Sequence, residues 1–192
     1  DLHDNLGAYA ASIASNLDSI SFANDNPDNL VAIQELRNNS QAIVSQLNDT
    51  IWALKKETLS LTAISDRIKI FVQRIQPSYP EVVIDIRENI MNDFRLQPIQ
   101  AFHLFRIVQE AINNALRHSG CKRIFVDIMA NRSWYVSIQD DGKGMQNGKM
   151  RTHKTGNGLS NMEARAFESG WEIRWKADPG NGTKVIIESV SE

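Results

Sequence analysis

The sequence predicts an α+β protein in two parts, a helical hairpin followed by an α/β sandwich. Three observations carry that reading. Over residues 1–54 apolar side chains recur in alternating steps of three and four, in two runs split by a short polar break. Beyond residue 80, short β-branched runs alternate with glycine-rich turns and one long amphipathic stretch. The texture changes near residue 58, which separates a first domain, 1–58, from a second, 59–192.

Leu2, Leu6, Tyr9, Ile13, Leu17 and Ile20 form a heptad-like seam, so a helix is expected over residues 1–23. The segment Asn24 to Asn29 breaks it with short polar residues, and Pro27 suits the first turn of a new helix. A second seam runs through Ile33, Leu36, Ile43, Leu47, Ile51 and Leu54, with Ser40 in one slot. Two helices joined this way make an antiparallel hairpin. Such a pair cannot enclose a core, and a symmetric dimer forming a four-helix bundle is the economical solution. Packing of both helices on the rest of their own chain is the alternative. Asp1-Leu2-His3 already lies inside the amphipathic pattern, so the sequence is expected to be part of a longer protein.

After Lys55-Lys56-Glu57-Thr58 the period continues through Leu61, Ile64, Ile68, Phe71, Val72 and Ile75, a helix ending before Pro77. Val82 to Ile86 reads as a strand. A long helix then starts near Pro98. In its second half Phe105, Ile107, Val108, Ile112, Ala115 and Leu116 mark a core face, while Glu110, Asn113, Asn114, Arg117 and His118 cluster opposite. Glu110 and Asn114 are one turn apart, and Arg117 follows three residues later. Arg123–Met129 and Trp134–Gln139 are expected strands joined by a tight turn at 131–133. A glycine-rich stretch covers 140–158, a short helix 159–168, and two closing strands 171–176 and 183–188, turned at 178–182. Hairpin-connected strands with interspersed helices suggest helices on one face of a mixed sheet.

A hydrophobic share of 42% suffices for a core, and a net charge of -2 gives no reason to expect a nucleic-acid partner or a membrane surface. The single cysteine, Cys121, excludes an intrachain disulfide and a cysteine-rich zinc site, and reads as an inert thiol in a reducing compartment. No apolar run approaches the ~20 residues that cross a bilayer. This part is therefore not expected to span a membrane, which leaves room for an anchor elsewhere in a full-length protein.

Two glycine clusters carry chemistry. Asp140-Asp141-Gly142-Lys143-Gly144 comes off a strand end, where a carboxylate can accept from an exocyclic amine and glycines let backbone approach a flat ring. The ligand spacing of a calcium loop is missing. Thr155-Gly156-Asn157-Gly158-Leu159-Ser160 stands at a helix start, where free N–H groups and the helix dipole favour an anion. It is neither a P-loop nor a dinucleotide fingerprint.

Taken in order, an E-x-x-x-N helix, D-x-G-x-G at a strand end, G-x-G-L entering a helix and the late Gly182-Thr183 resemble the ATP-binding Bergerat, or GHKL, fold. Histidine kinases, gyrase-type topoisomerases, MutL proteins and Hsp90 chaperones share it. The likeness spans most of residues 100–190. It implies that Asn114 coordinates Mg²⁺ and that Asp140 binds the adenine amino group of ATP. It makes Gly142, Gly144, Gly156 and Gly158 part of a mobile lid, Arg117, His118 and Lys143 phosphate contacts, and Leu159 and Thr183 nucleotide neighbours.

Asp1-Leu-His-Asp-Asn-Leu-Gly7 is similar to the phosphoacceptor box of H-D type sensor histidine kinases, the group of nitrate sensors and membrane-fluidity thermosensors. Gln109 to His118 is similar to the same group. The resemblance implies autophosphorylation on His3, with Asp4 taking the proton from the ring or holding it. Glu110 has the position of the water-activating base in the ATPase relatives; here it acts as a base or orders Asn114 or a lid water. A homodimer, an aspartate on a response-regulator receiver domain as acceptor, and a cytoplasmic location, including the inner part of a membrane-anchored sensor, follow from the same likeness. Many relatives carry Gln four residues after the acid, where it orients a water for phosphatase action. This chain has Ala8, which implies weak or absent phosphatase activity. The rival reading is an ATP-gated dimeric clamp or ATPase of the same superfamily, which needs no His3.

Overall fold

The computed structural model describes residues 58–144, 158–177 and 180–189, together with Ile33, Leu36, Ser40 and Ile43. Backbone packing divides the chain into two compact units, Asp1–Lys55 and Lys56–Glu192. In the first unit those four positions are helical, and they are positions of the expected second seam. The first expected helix, the break at 24–29 and the pairing of the two helices lie outside the described residues.

The second unit begins with a two-residue strand β1 (Leu59–Ser60), paired antiparallel with β3 (Arg95–Leu96). Ser60 caps helix α1 (Leu61–Ile75), its Oγ accepting from the Ala63 amide at 3.2 Å. The stripe read from the sequence is the buried one: Leu61, Ile64, Ile68, Phe71 and Val72. Pro77 sits inside a short 3₁₀ turn, Gln76–Ser78, that follows the helix.

Strand β2 (Val83–Ile90) continues four residues past the expected end at Ile86. The register puts Glu88 in line with Ile84, Ile86 and Ile90, on the face that meets the helices. The Glu88 side chain remains exposed to solvent, and α1 supplies it with partners. Ser65 Oγ donates to it at 2.6 Å and Lys69 Nζ lies 2.9 Å away. These two bonds, Ser65 first, hold the Glu88 carboxyl below the usual range.

Helix α2 (Pro98–Asn114) opens on Gln97, whose amide donates to Gln100 Oε1 at 3.0 Å. It does not end as a regular helix. A π-helical turn, Ala115–Ser119, follows, and Gly120 closes it in the left-handed conformation at φ 66°. Then come β4 (Arg123–Ala130), β5 (Trp134–Asp140), α3 (Gly158–Glu168), β6 (Trp171–Ala177) and β7 (Thr183–Ser189).

The large sheet has the order β2-β4-β5-β7-β6, parallel only between β2 and β4. One face is apolar: Ile124, Val126, Ile128, Val136, Ile138, Val185 and Ile187 are buried, and cross-strand rows such as Val126–Ile138–Val185–Trp175 run through it. Alternate positions, including Tyr135, Gln139, Glu172, Arg174 and Lys176, are exposed on the other face. The helices among the described residues cover the apolar face with Leu104, Phe105, Ile107, Val108 and Ile112 of α2 and Met162 and Ala166 of α3. Each fully buried Leu or Ile contributes about 1.5–3 kcal/mol. Edge contacts between Phe71 and Phe105, ring centroids 6.2 Å apart, join α1 to α2. The expected mixed sheet with helices on one face is the observed one. Among the described residues no helix is long and apolar enough to cross a membrane.

Candidate active site

Asp140 ends β5 and is 5% exposed. Its Oδ1 accepts from the Gly142 amide at 2.9 Å, and its Oδ2 from the Thr183 amide at 3.3 Å. Adjacent β7 places Thr183 for that contact. Gly182, just before it, has φ 78°, and a side-chain carbon there would overlap the Asp140 carbonyl oxygen.

The loop leaving β5 lies on the π turn at the end of α2. A side-chain carbon at Gly142 would come within 2.6 Å of Ser119 Cβ. The Lys143 amide donates to Ser119 O at 3.0 Å, and the Gly180 amide donates to Lys143 O at 2.8 Å. Asp141 faces the other way. Its Oδ1 accepts from the amides of Lys122 (2.7 Å) and Arg123 (2.9 Å), which anchors the start of β4. Those amides, Arg123 first, hold its carboxyl below the usual range. Of the two adjacent aspartates, one builds the sheet and the other is turned toward the glycines.

The α2–α3 junction completes the cluster. A side-chain carbon at Gly158, the first residue of α3, would overlap Glu110 Oε1 and lie 3.7 Å from Asn114 Nδ2. At the far end of α3, Ser169 Oγ is 3.0 Å from His103 Nδ1, and Gln100 Nε2 donates to Ser169 O at 3.1 Å. The two helices therefore run antiparallel, with the start of α3 at the C-terminal end of α2. Glu110 and Asn114 thus meet Gly158, Asp140 meets Gly142, Gly182 and Thr183, and Gly142 lies on Ser119 at the end of the same helix.

Other expected residues stand differently. Leu159 is half-buried, as is Gly144, which has φ 67°. Arg117, His118 and Lys143 are exposed. The spacing argument put Arg117 one step along the Glu110–Asn114 face; the π turn, with more residues per turn, sets a different phase after Asn114. His3, Asp4, Gly156 and the rest of the 145–157 stretch lie outside the described residues. Cys121 is buried, and burial pushes its thiol up, which fits an inert cysteine.

Chemically, an ionised carboxylate has about four acceptor positions. Two backbone amides use part of the Asp140 capacity and leave room for an amine donor, while Gly142 and Gly182 let the backbone pack closely on Ser119 and on Asp140 itself. Asn114 offers an amide oxygen suited to a hard cation. Among the described residues no group of three or more His, Cys, Asp or Glu forms a metal cage, so a cation at Asn114 would take oxygen atoms from a bound phosphate or water. The sequence reading missed Arg165, 5% exposed on α3. The available signal was its spacing from Gly158 and Met162, which places a cation inside the helix's apolar face.

Residues 100–191 match the family described as histidine kinase-, DNA gyrase B-, and HSP90-like ATPase. Sensor protein VraS of Staphylococcus haemolyticus is 33% identical over 129 residues, covering 66% of this chain and 35% of the relative. VraS of Staphylococcus epidermidis is 27% identical over 190 residues, covering 98% of this chain and 53% of the relative. The chain thus spans about half, or less, of the length of these relatives. Among solved structures, the Acinetobacter baumannii histidine kinase AdeS aligns with a TM-score of 0.61 at 15% identity, covering 98% of this chain and 95% of that one. The histidine kinase domain of the Erythrobacter litoralis EL346 blue-light activated histidine kinase gives 0.57 at 17% identity, with 95% of each chain covered. At such identities these structures establish a shared fold.

Proposed function

We propose, because residues 100–191 match the histidine kinase-, DNA gyrase B- and HSP90-like ATPase family, that this chain is the catalytic core of an H-D type two-component sensor histidine kinase. In this reading it transfers the γ-phosphoryl group of ATP to its own His3 and onward to an aspartate of a response-regulator receiver domain. The observation that carries the nucleotide part is the convergence of Asp140 with Gly142 and Thr183, and of Glu110 and Asn114 with Gly158. Homology to the VraS sensor proteins favours a kinase over other members of the family.

The assignment of roles follows the chemistry. The Asp140 carboxylate accepts from the adenine amino group, and Gly142 and Gly182 let the surrounding backbone pack closely enough to hold that carboxylate in place. Asn114 would hold Mg²⁺, which when bound neutralises phosphate charge. The exposed Arg117, His118 and Lys143 contact the phosphates, with Gly144, Gly156, Gly158 and Leu159 contributing backbone around them. The imidazole of His3 attacks the γ-phosphorus through a ring nitrogen, since an unperturbed imidazole has a free lone pair near pH 7. The bond to the bridging oxygen breaks, ADP leaves, and the proton departs from the other ring nitrogen. Asp4 takes that proton or stabilises the imidazolium; neighbours on a helix diverge by about 100°, so the pair needs selected rotamers. Glu110, whose carboxylate reaches Gly158, orders the Asn114 end of α2.

We assign residues 1–58 to the dimerisation and phosphotransfer hairpin and 59–192 to the ATP-binding domain. In the single chain Ile33 is 51% exposed and Leu36 and Ile43 are half-buried, which supports a partner copy completing a four-helix bundle. A cytoplasmic location suits an ATP-consuming domain.

The test is incubation with γ-labelled ATP and Mg²⁺. The expected product is an acid-labile, alkali-stable phosphoprotein, absent in His3→Gln. Tight ATP binding with no phosphoprotein would favour the dimeric clamp instead.

A further inference from the structure

A buried arginine is rare unless it is paired. Arg165 is 5% exposed in the middle of α3, on the same face as Gly158, Met162 and Ala166, the face that packs on α2. The two helices are antiparallel, fixed at one end by Gly158 beside Glu110 and Asn114 and at the other by Ser169 beside His103. Helical side chains lean toward their own N-terminus. Arg165 therefore leans toward the Gly158 end, and Glu110 leans back along α2 toward it. Two carboxylates, Glu110 and Glu168, attract the Arg165 guanidinium and offset part of the lowering that burial imposes on it. Glu168 is exposed and lies 3.6 Å from His103 Nε2, at the end of α3 away from the glycines. Glu110 is the partner at the candidate site.

We propose that Arg165 is a positioning residue for the nucleotide site, its buried guanidinium holding the Glu110 carboxylate against the start of α3 so that Asn114 and Gly158 are set as one unit. Glu110 is then a latch between two helices rather than a free proton acceptor. This deepens the reading of the site as an ATP site and rests on it.

The experiment measures ATP affinity by titration calorimetry, with and without Mg²⁺, and melting without nucleotide. It uses the whole chain as wild type, Arg165→Met, Arg165→Lys, Glu110→Gln and the Arg165→Met/Glu110→Gln pair. Arg165→Met is expected to weaken ATP binding about tenfold, and Arg165→Lys to recover most of that loss. In the Glu110→Gln background, Arg165→Met should cost less than about twofold, because the residue acts through the carboxylate. If Arg165→Met does not fold, Arg165→Gln alone and with Glu110→Gln supplies the same cycle. Folded Arg165 variants that bind ATP as wild type does overturn the proposal, as do losses that multiply between the two sites. It is equally overturned if every Arg165 variant is unfolded while Glu110→Gln binds ATP normally, since Arg165 would then be structural only. Wild type that fails to bind ATP is a different result: it removes the functional reading itself.

Discussion

Gly182 lies directly against the backbone of Asp140. Its φ is 78°, and a side-chain carbon at this position would overlap the Asp140 carbonyl oxygen and come within 3.1 Å of Oδ1. Backbone rather than a flexible side chain stands in the way, so relaxation must move β5 or the turn. Gly182→Ala should therefore lose about 2–4 kcal/mol of stability, from the left-handed conformation and the overlap together. Urea denaturation measures it; a loss below about 1 kcal/mol would mean the approach is looser than described.

Gly158→Ala should behave in the opposite way. The atom it meets is Glu110 Oε1, the tip of a flexible side chain, and Gly158 has no left-handed φ. The fold should survive with a melting temperature near wild type, while ATP affinity falls because Glu110 is displaced. Equal affinity in the two proteins would remove Glu110 from the site.

Asp140→Asn should separate binding from folding. The new amide keeps one acceptor oxygen but turns a donor toward the Gly142 or Thr183 amide, and loses the charge that an adenine amine would meet. Hydrogen bonds to charged groups contribute about 1.5–3 kcal/mol, so ATP binding should weaken by roughly 10- to 150-fold. Calorimetry on the folded variant reads this directly.

His103 gives the fold a pH dependence. Burial is the largest influence and pushes its imidazole below the ordinary value, against the opposing pull of Glu168; nearby Arg165 adds to the lowering. The unfolded chain takes up this proton near pH ~6.5, the folded chain only at lower pH. The stability tied to neutral His103 is therefore present above that value and is lost as pH falls through the folded pKa. Melting temperature should fall between pH 7 and 5 more steeply in wild type than in His103→Gln, which keeps a polar partner for Ser169. Identical slopes would assign the dependence to other groups.

Ala8 bears on the reverse reaction in the proposed kinase. Wild type should leave the decay of a phosphorylated receiver domain at its intrinsic rate, and Ala8→Gln should accelerate it. Acceleration by wild type well above background defeats this reading.

The long helix and the interior strands were legible because their apolar residues repeat with clear periods, and the glycine clusters because Gly and Asp mark strand ends. What escaped was decided by partners distant in sequence. Strands β1 and β3 are two residues each and exist only through their pairing of Leu59 with Leu96 and Ser60 with Arg95. The second half of β2 was hidden by Glu88, an exposed charge in line with the isoleucines that pairs with Ser65 and Lys69 of α1. The π turn defeats any argument from a fixed helical period, so the placing of Arg117 and His118 was beyond reach of spacing. Arg165 escaped because arginine in a short amphipathic helix normally points to water. In the site, Asp140 was identifiable by its place at a strand end, whereas nothing local distinguishes its role from that of Asp141, which is settled by the amides of Lys122 and Arg123.

The sheet order β2-β4-β5-β7-β6 puts β7 between β5 and β6, two strands made before it. Asp140 acquires its Thr183 contact only when that insertion has occurred, 43 residues later in the chain. A nascent or truncated chain lacking β7 consequently has no complete cradle, and ligand capture becomes a checkpoint that only molecules with β7 inserted pass.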